Sequence, residues 1–327
     1  NLRVGILTIQ EKWELWLDEV CRIRTKDYLT AKFDGYESGE SLGINASVLP
    51  NSELVLAIKK LEAEQLLMKD GVVLAINELP ETSVNMEEYL DGFEMIEFEG
   101  EVSMLQIPAD IFQLNGQEIT QDYHLIKDKK TPQEIHSSVQ TLGDQIFIEE
   151  GAKVNLCILN ASEGPIYIAK DAEVMEGSVI RGPFAMLPGS VCKLATKVYG
   201  PTTLGPYVKI GGEVNNCVFQ GYSNKGHDGF LGNSVVGEWC NLGADTNSSN
   251  LKNNYGNVKV WNYSSESSED TGIQFHGLIM GDHSKCGINT MFNTGTIIGV
   301  NANIFGGGFP SKFIPSYAWG GNDGFQT

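Results

Sequence analysis

No stretch of this 327-residue chain is apolar for long enough to cross a bilayer, and no secretory leader pattern opens it. A membrane partner is therefore not expected. Cysteine is sparse, and none of Cys21, Cys157, Cys192, Cys217, Cys240 and Cys286 forms a CxxC pair, so no cysteine framework is in view. They read as small buried hydrophobes in a reducing, cytoplasmic interior. Positive charge is also short, with 23 basic against 42 acidic residues and a net charge of −19. The phosphate attraction on which nucleic-acid binding relies is repulsive for such a chain, so the expected partners are small molecules. An anionic ligand must then be met by local cations.

Up to about residue 130, helical and strand-like segments alternate. In "ELVLAIKKLEAEQLL" (53–67), Leu54, Ile58 and Leu61 share one helical face behind Ser52 as N-cap, and Lys69-Asp70-Gly71 ends the run. "VVLAI" (72–76) reads as a buried strand. This is α/β order, and "DKKTPQE" (128–134) reads as a linker. The expected division is an α/β domain over 1–130, a linker over 131–143, a repeat domain over 144–310 and a tail over 311–327.

Beyond the linker the period becomes six. Ile168, Val174, Ile180, Met186, Cys192, Val198, Leu204 and Ile210 are apolar without a miss, and Met280, Cys286, Phe292, Ile298 and Ile304 repeat the run. Two positions earlier stand mostly small residues: Ala172, Ser178, Ser190, Thr196 and Thr202, then Ser284, Thr290, Thr296 and Ala302. A period of six fits neither a helix nor an alternating strand. It fits short strands joined by tight turns in a parallel β-helix, three hexads closing a coil of about eighteen residues. The alternative, a sandwich with evenly spaced strands, does not explain thirteen filled slots.

The period slips between Ile210 and Phe230, where "GYSNKGHDGFLG" (221–232) reads as a loop bulging from the coil, with Gly221, Gly226 and Gly229 supplying backbone freedom. Phe230, Val236 and Leu242 resume the period before the polar stretch 247–270 breaks it again. Loops thrown out from a rigid scaffold tend to carry function. His227 rides on the first, with Asn241 fourteen residues on and Asn250 nine after that. Imidazole is the side chain suited to take a proton near neutral pH, and asparagine orients a polar substrate without adding charge.

Three stretches, "GPFAMLPGS" (182–190), "GHDGFLGNSVVGEWCNLGADTNSSNLK" (226–252) and "IMGDHSKCGINT" (279–290), carry a resemblance. They are similar to the left-handed β-helix half of the bifunctional family joining glucosamine-1-phosphate acetyltransferase to N-acetylglucosamine-1-phosphate uridylyltransferase. The likeness extends over roughly residues 144–308. It implies acetyl-CoA as co-substrate, a homotrimer with the site between subunits, and His227 as the general base for the amine of a sugar phosphate. It also implies sugar contacts from Asn241 and Asn250 and an oxyanion contact from the backbone N–H near Ala244. Lys252 and Lys259 are candidates for the phosphate, and Gly306 and Gly307 for close backbone approach to CoA. The pattern departs from the family at three places. Phe230 stands where a tyrosine is usual, Asp245 replaces a glycine, and "FAMLPG" and "KIGGEV" lack the arginine and lysine that grip the phosphate.

In the first half, "LRVGILTIQEKW" (2–13) resembles a divergent nucleotidyltransferase entry loop, with Gly5, Thr8 and Lys12 at signature positions. The family architecture implies a uridylyltransferase using UTP and Mg²⁺. "INASVLPN" (44–51) sits where relatives place a metal-binding aspartate, and Ala46 and Ser47 supply no ligand there. Read from the residues alone, 2–13 is equally a strand-to-helix segment with Trp13 and Trp16 in the core. Three further readings stay open: a sugar-phosphate nucleotidyltransferase or an acyltransferase for a different sugar, to which the Phe230 and Asp245 departures point, a β-helix metal enzyme of the γ-carbonic anhydrase kind drawing on His276 and His283, and a scaffold whose loops only trimerise.

Overall fold

Asp70 and Gly71 both adopt positive φ, 50° and 79°, the geometry of a two-residue hairpin loop, so Gln65–Lys69 and Val72–Ile76 pair antiparallel. The computed structural model describes residues 1–33, 42–79 and 86–326, in one unit of residues 1–2 and 7–106 and another of residues 3–6 and 107–327.

In the first unit, helix Ser52–Ile58 ends after seven residues, and its N-cap is Asn51, whose Oδ1 accepts from the Leu54 N–H at 2.9 Å. The helix expected over 53–67 with Ser52 as cap is thus corrected at both ends. Leu66 and Leu67 instead lie in the four-stranded sheet ordered Gly43–Ile44, Val72–Ile76, Gln65–Lys69, Glu94–Glu97. Both are 2% exposed, and burial within a ladder outweighs helix propensity. Trp13 in helix Ile9–Leu17 is buried, and its indole N–H donates to the Val48 carbonyl at 3.0 Å.

The second unit is the parallel β-helix of hexapeptide repeats that the sequence predicts. Glu173, Val191 and Lys209 stack in register eighteen residues apart, as do Ile166, Phe184 and Thr202. All thirteen hexad aliphatics are at most 4% exposed and belong to one core. The small residues two positions earlier close the corners. The hydroxyls of Ser190, Thr196, Thr202, Thr290 and Thr296 each donate to the carbonyl three residues back, at 2.6 to 3.1 Å. A serine or threonine there gives the turn's carbonyl a side-chain donor at the corner.

One ladder runs through nine parallel strands from Lys153–Val154 to Trp319–Gly321, and Gly324–Gln326 folds back antiparallel on its end. Residues 313–326, within the stretch expected as a tail, therefore continue the coil. Helix Asp110–Ile126 belongs to this unit, and its Asn115 and Asp122 accept from the backbone N–H groups of Gly5 and Ile6 at 2.8 Å.

The repeat breaks differently from expectation. No loop bulges between Ile210 and Phe230; the coil contracts. Ile210 pairs with Lys225 after fifteen residues, and Glu213 with Phe230 after seventeen. The strands Glu213–Gly221 and Phe230–Glu238 span nine residues each and turn within that span at Asn216 and Asn233, whose φ are 51° and 48°. Leu231, 1% exposed, enters the core and Phe230 is only half-buried, so the resumed period is carried by Leu231, Val236 and Leu242. The second break is an excursion: Val235 pairs with Ile279, 44 residues on, and the extra chain forms the hairpin of Lys259–Asn262 with Ser267–Asp270. No helix among the described residues is long and apolar enough to cross a membrane.

Candidate active site

The register Asn224 to Asn241 puts His227 one coil beneath Ala244. Neighbouring strands are about 4.8 Å apart, and two bonds fix the stacking here. The Asp245 N–H donates to the Asp228 carbonyl at 3.0 Å, and the Phe230 N–H donates to Asn247 Oδ1 at 2.8 Å. Of the three glycines expected to free this turn, only Gly229 has positive φ (125°). A Cβ on Gly229 would lie 2.2 Å from the Thr246 carbonyl oxygen, so no other residue fits beneath the next coil.

His227 is exposed, and its ring has no hydrogen-bond partner among the described residues. Directly above it, the half-buried Ala244 gives its carbonyl to the Asn289 N–H at 2.8 Å, while its own N–H has no partner among the described residues. Asn241, three residues before Ala244, is exposed and accepts from Asn224 Nδ2 at 2.9 Å. His227, Ala244 and Asn241 therefore share two stacked coils. Asn250 is placed elsewhere. Its Nδ2 donates to Asn233 Oδ1 at 2.8 Å, and Asn233 lies six residues beyond His227, up to about 20 Å of extended chain.

Lys252 donates to the Asn257 carbonyl at 2.6 Å, and Lys259 is exposed at the start of the hairpin. Lys312, which the sequence reading passed over, donates to Thr294 Oγ1 at 3.4 Å. Partial burial and the nearby charge of Lys252 hold its ammonium below the ordinary lysine value. Gly306 and Gly307 are exposed on the turn after Asn303–Ile304, with open space where a Cβ would stand.

The residue most clearly missed is Lys225. It follows Ile210 and precedes Leu242 on the inward side of the ladder, where other coils carry aliphatics, and it is 2% exposed. Its ammonium donates to the Gly211 carbonyl at 2.8 Å and to the His227 carbonyl at 2.9 Å. Burial pushes its pKa down to about 8, against the opposing pull of Asp228, Cys217, Asp245 and Cys286. Aligning "GYSNKG" (221–226) with "GEWCNLG" (237–243) and "GDHSKCG" (281–287) would have revealed a lysine in the aliphatic slot.

In the first half, the Gly5 N–H is held by Asn115 Oδ1 and its carbonyl by the Thr203 hydroxyl at 3.0 Å. Thr8 closes a capping box with Glu11, and Lys12 is fully buried. The Ser47 hydroxyl turns back to Asn45 Oδ1 at 2.8 Å, and Ala46 and Ser47 offer no carboxylate to Mg²⁺. Among the described residues no three His, Cys, Asp or Glu side chains group as metal ligands do. His276 is buried edge-on to Phe112 at 5.4 Å, and His283 is exposed and stacks on Trp239.

Comparison with known proteins agrees with both halves at a coarse level. Residues 1–131 match the profile of a family described as sugar nucleotidyl transferase. The chain is similar to the bifunctional protein GlmU of Methanocaldococcus jannaschii, 26% identical over 304 residues, covering 84% of this chain and 72% of that protein. It is also similar to the uncharacterized acetyltransferase YaiX of Escherichia coli O6:K15:H31 (strain 536) and its K12 counterpart, each 27% identical over 165 residues. That match covers 50% of this chain and 66% of each YaiX protein, just under two thirds of their length. Among solved structures, the chain is similar to the polySia-specific acetyltransferase NeuO at 13% identity and a TM-score of 0.30, covering 59% of this chain and 87% of that one. Acetyltransferase and sugar nucleotidyltransferase relatives support a transferase of acyl or nucleotidyl groups.

Proposed function

We propose that the β-helix is a CoA-dependent N-acetyltransferase acting on an amino-sugar phosphate, glucosamine 1-phosphate, with His227 as its general base. The observation that carries this is the imidazole of His227 one coil beneath the N–H of Ala244, both without a hydrogen-bond partner among the described residues. A base and an oxyanion donor at that separation suit acyl transfer to an amine. The amine lone pair attacks the thioester carbonyl of acetyl-CoA, and His227 takes the proton the nitrogen gives up. The carbonyl oxygen, now carrying the negative charge, faces the Ala244 N–H. Collapse of this intermediate breaks the C–S bond, and the proton on His227 passes to the departing CoA sulfur.

Asn241 orients the sugar from the same chain. Asn250 is held at Asn233, one hexad on from His227, which favours a homotrimer in which a neighbouring copy brings sugar and phosphate contacts, Lys252 and Lys259 among them, to His227. The open backbone at Gly306 and Gly307 suits CoA. Phe230 and Asp245 narrow the choice of sugar: one offers no hydroxyl, and the other sets a carboxylate beside the site. A second activity, sugar-1-phosphate uridylyl transfer from UTP, is favoured for the first half by the match over residues 1–131, while Ala46 and Ser47 do not fit the Mg²⁺ that the resemblance implies. The buried thiols and the metabolic substrate suit a cytoplasmic protein. Crystals grown with CoA and glucosamine 1-phosphate are expected to place the sugar amine within about 3 Å of a His227 ring nitrogen. An ordered amine at any other site would refute the assignment.

A further inference from the structure

The corner that carries His227 lacks the device that closes its neighbours. In the coil above, the Thr246 hydroxyl donates to the Gly243 carbonyl at 2.7 Å, and in the next the Thr290 hydroxyl donates to the Gly287 carbonyl at 2.8 Å. In register with Thr246 stands Gly229, which has no hydroxyl to give. The corner below, Gly211-Gly212-Glu213, has none either. Two successive corners thus present carbonyls with no cap from the turn itself, and a carbonyl left so in an interior is costly.

Lys225 meets both. Its side chain fills an aliphatic slot of the core, and its ammonium donates to Gly211 O at 2.8 Å and His227 O at 2.9 Å. Drawing the His227 carbonyl inward leaves the imidazole on the outside, where it is exposed. We propose that Lys225 is the positioning residue for His227, an internal ammonium that takes the cap slot at Gly211 and, through its bond to the His227 carbonyl, fixes the direction in which the imidazole faces its substrate. This rests on the reading of His227 as the base. Lys225 touches neither sugar nor CoA; it acts through the backbone of the residue that does.

The test measures kcat and KM for acetyl transfer from acetyl-CoA to glucosamine 1-phosphate in Lys225→Met, Lys225→Gln, His227→Ala and the double variant Lys225→Met/His227→Ala. Lys225→Met is expected to lower kcat by about 10- to 100-fold with KM within about twofold, as a displaced catalytic group does. Lys225→Gln, which keeps one N–H donor, is expected to recover part of that loss. In the His227→Ala background, Lys225→Met is expected to change the residual rate by less than about twofold, because the group it positions is gone. A general structural role would lower both rates alike, and that result overturns the proposal. So does Lys225→Met retaining full kcat while His227→Ala does not, or a failure of both Lys225 variants to fold. If His227→Ala itself keeps the wild-type rate, the reading of the site falls instead.

Discussion

Replacing Lys225 with methionine is expected to leave the fold at least as stable at neutral pH, although the ammonium makes two hydrogen bonds. Burial lowers its pKa from 10.5 to about 8, which corresponds to a cost of about 3 kcal/mol for holding the charged form in the core. The sign follows from proton counting. Below pH 8 both the folded and the unfolded chain hold the proton and the cost is fully present. Between pH 8 and 10.5 the unfolded chain keeps the proton that the folded chain has lost, so stability from this site rises with pH. Methionine removes the charge and leaves the carbonyls of Gly211 and His227 without their donor, a loss of about 1–3 kcal/mol that offsets most of the gain. Urea unfolding followed by circular dichroism at pH 7, 8, 9 and 10 isolates the effect as the difference between wild type and variant. The wild type is expected to gain on Lys225→Met by about 2–3 kcal/mol across that range. A difference that stays flat with pH would refute the reasoning, since the ammonium would then not be buried with the cost inferred.

Gly229→Ala forces a side chain into a backbone with φ of 125° and a contact 2.2 Å from the Thr246 carbonyl, so a loss of about 2–4 kcal/mol in urea unfolding is expected, with Gly71→Ala, where no atom lies within 4 Å, as the comparison for φ strain alone. His276 is packed against Phe112, bonded to Gly277 O and faced by the charge of Lys312, and burial holds its pKa below the ordinary 6.5. The unfolded chain therefore takes up this proton first as pH falls through 6.5, and stability drops at up to about 1.4 kcal/mol per pH unit. His276→Phe is expected to flatten that limb between pH 6.5 and 5, measured by Tm.

The hexads were legible because each slot is filled at a fixed spacing, from Ile168 to Ile210 and from Met280 to Ile304, and the core those residues form is a direct consequence of stacking equal coils. The corner hydroxyls, Thr196 and Thr290 among them, were visible as small residues before their bonds were. Helix 53–67 was misjudged because an apolar run followed by Asp70-Gly71 reads as a helix end and also as a hairpin, and only the partner strand decides. Lys225 was hidden by the contraction of its coil to fifteen residues, which shifts the frame so that a reading in sixes passes over it. The separation of Asn250 from His227 was not legible at all. A spacing of residues along the chain does not say which corner of a triangular coil each reaches.

The most direct measurement is the release of free CoA thiol on mixing acetyl-CoA with glucosamine 1-phosphate, in wild type and in His227→Ala. The exposed imidazole at a corner locked by Gly229 predicts turnover in the wild type and a loss of about 10²- to 10⁴-fold in the variant, with the same circular dichroism and Tm. Equal turnover in the two proteins, or none in the wild type, would contradict it.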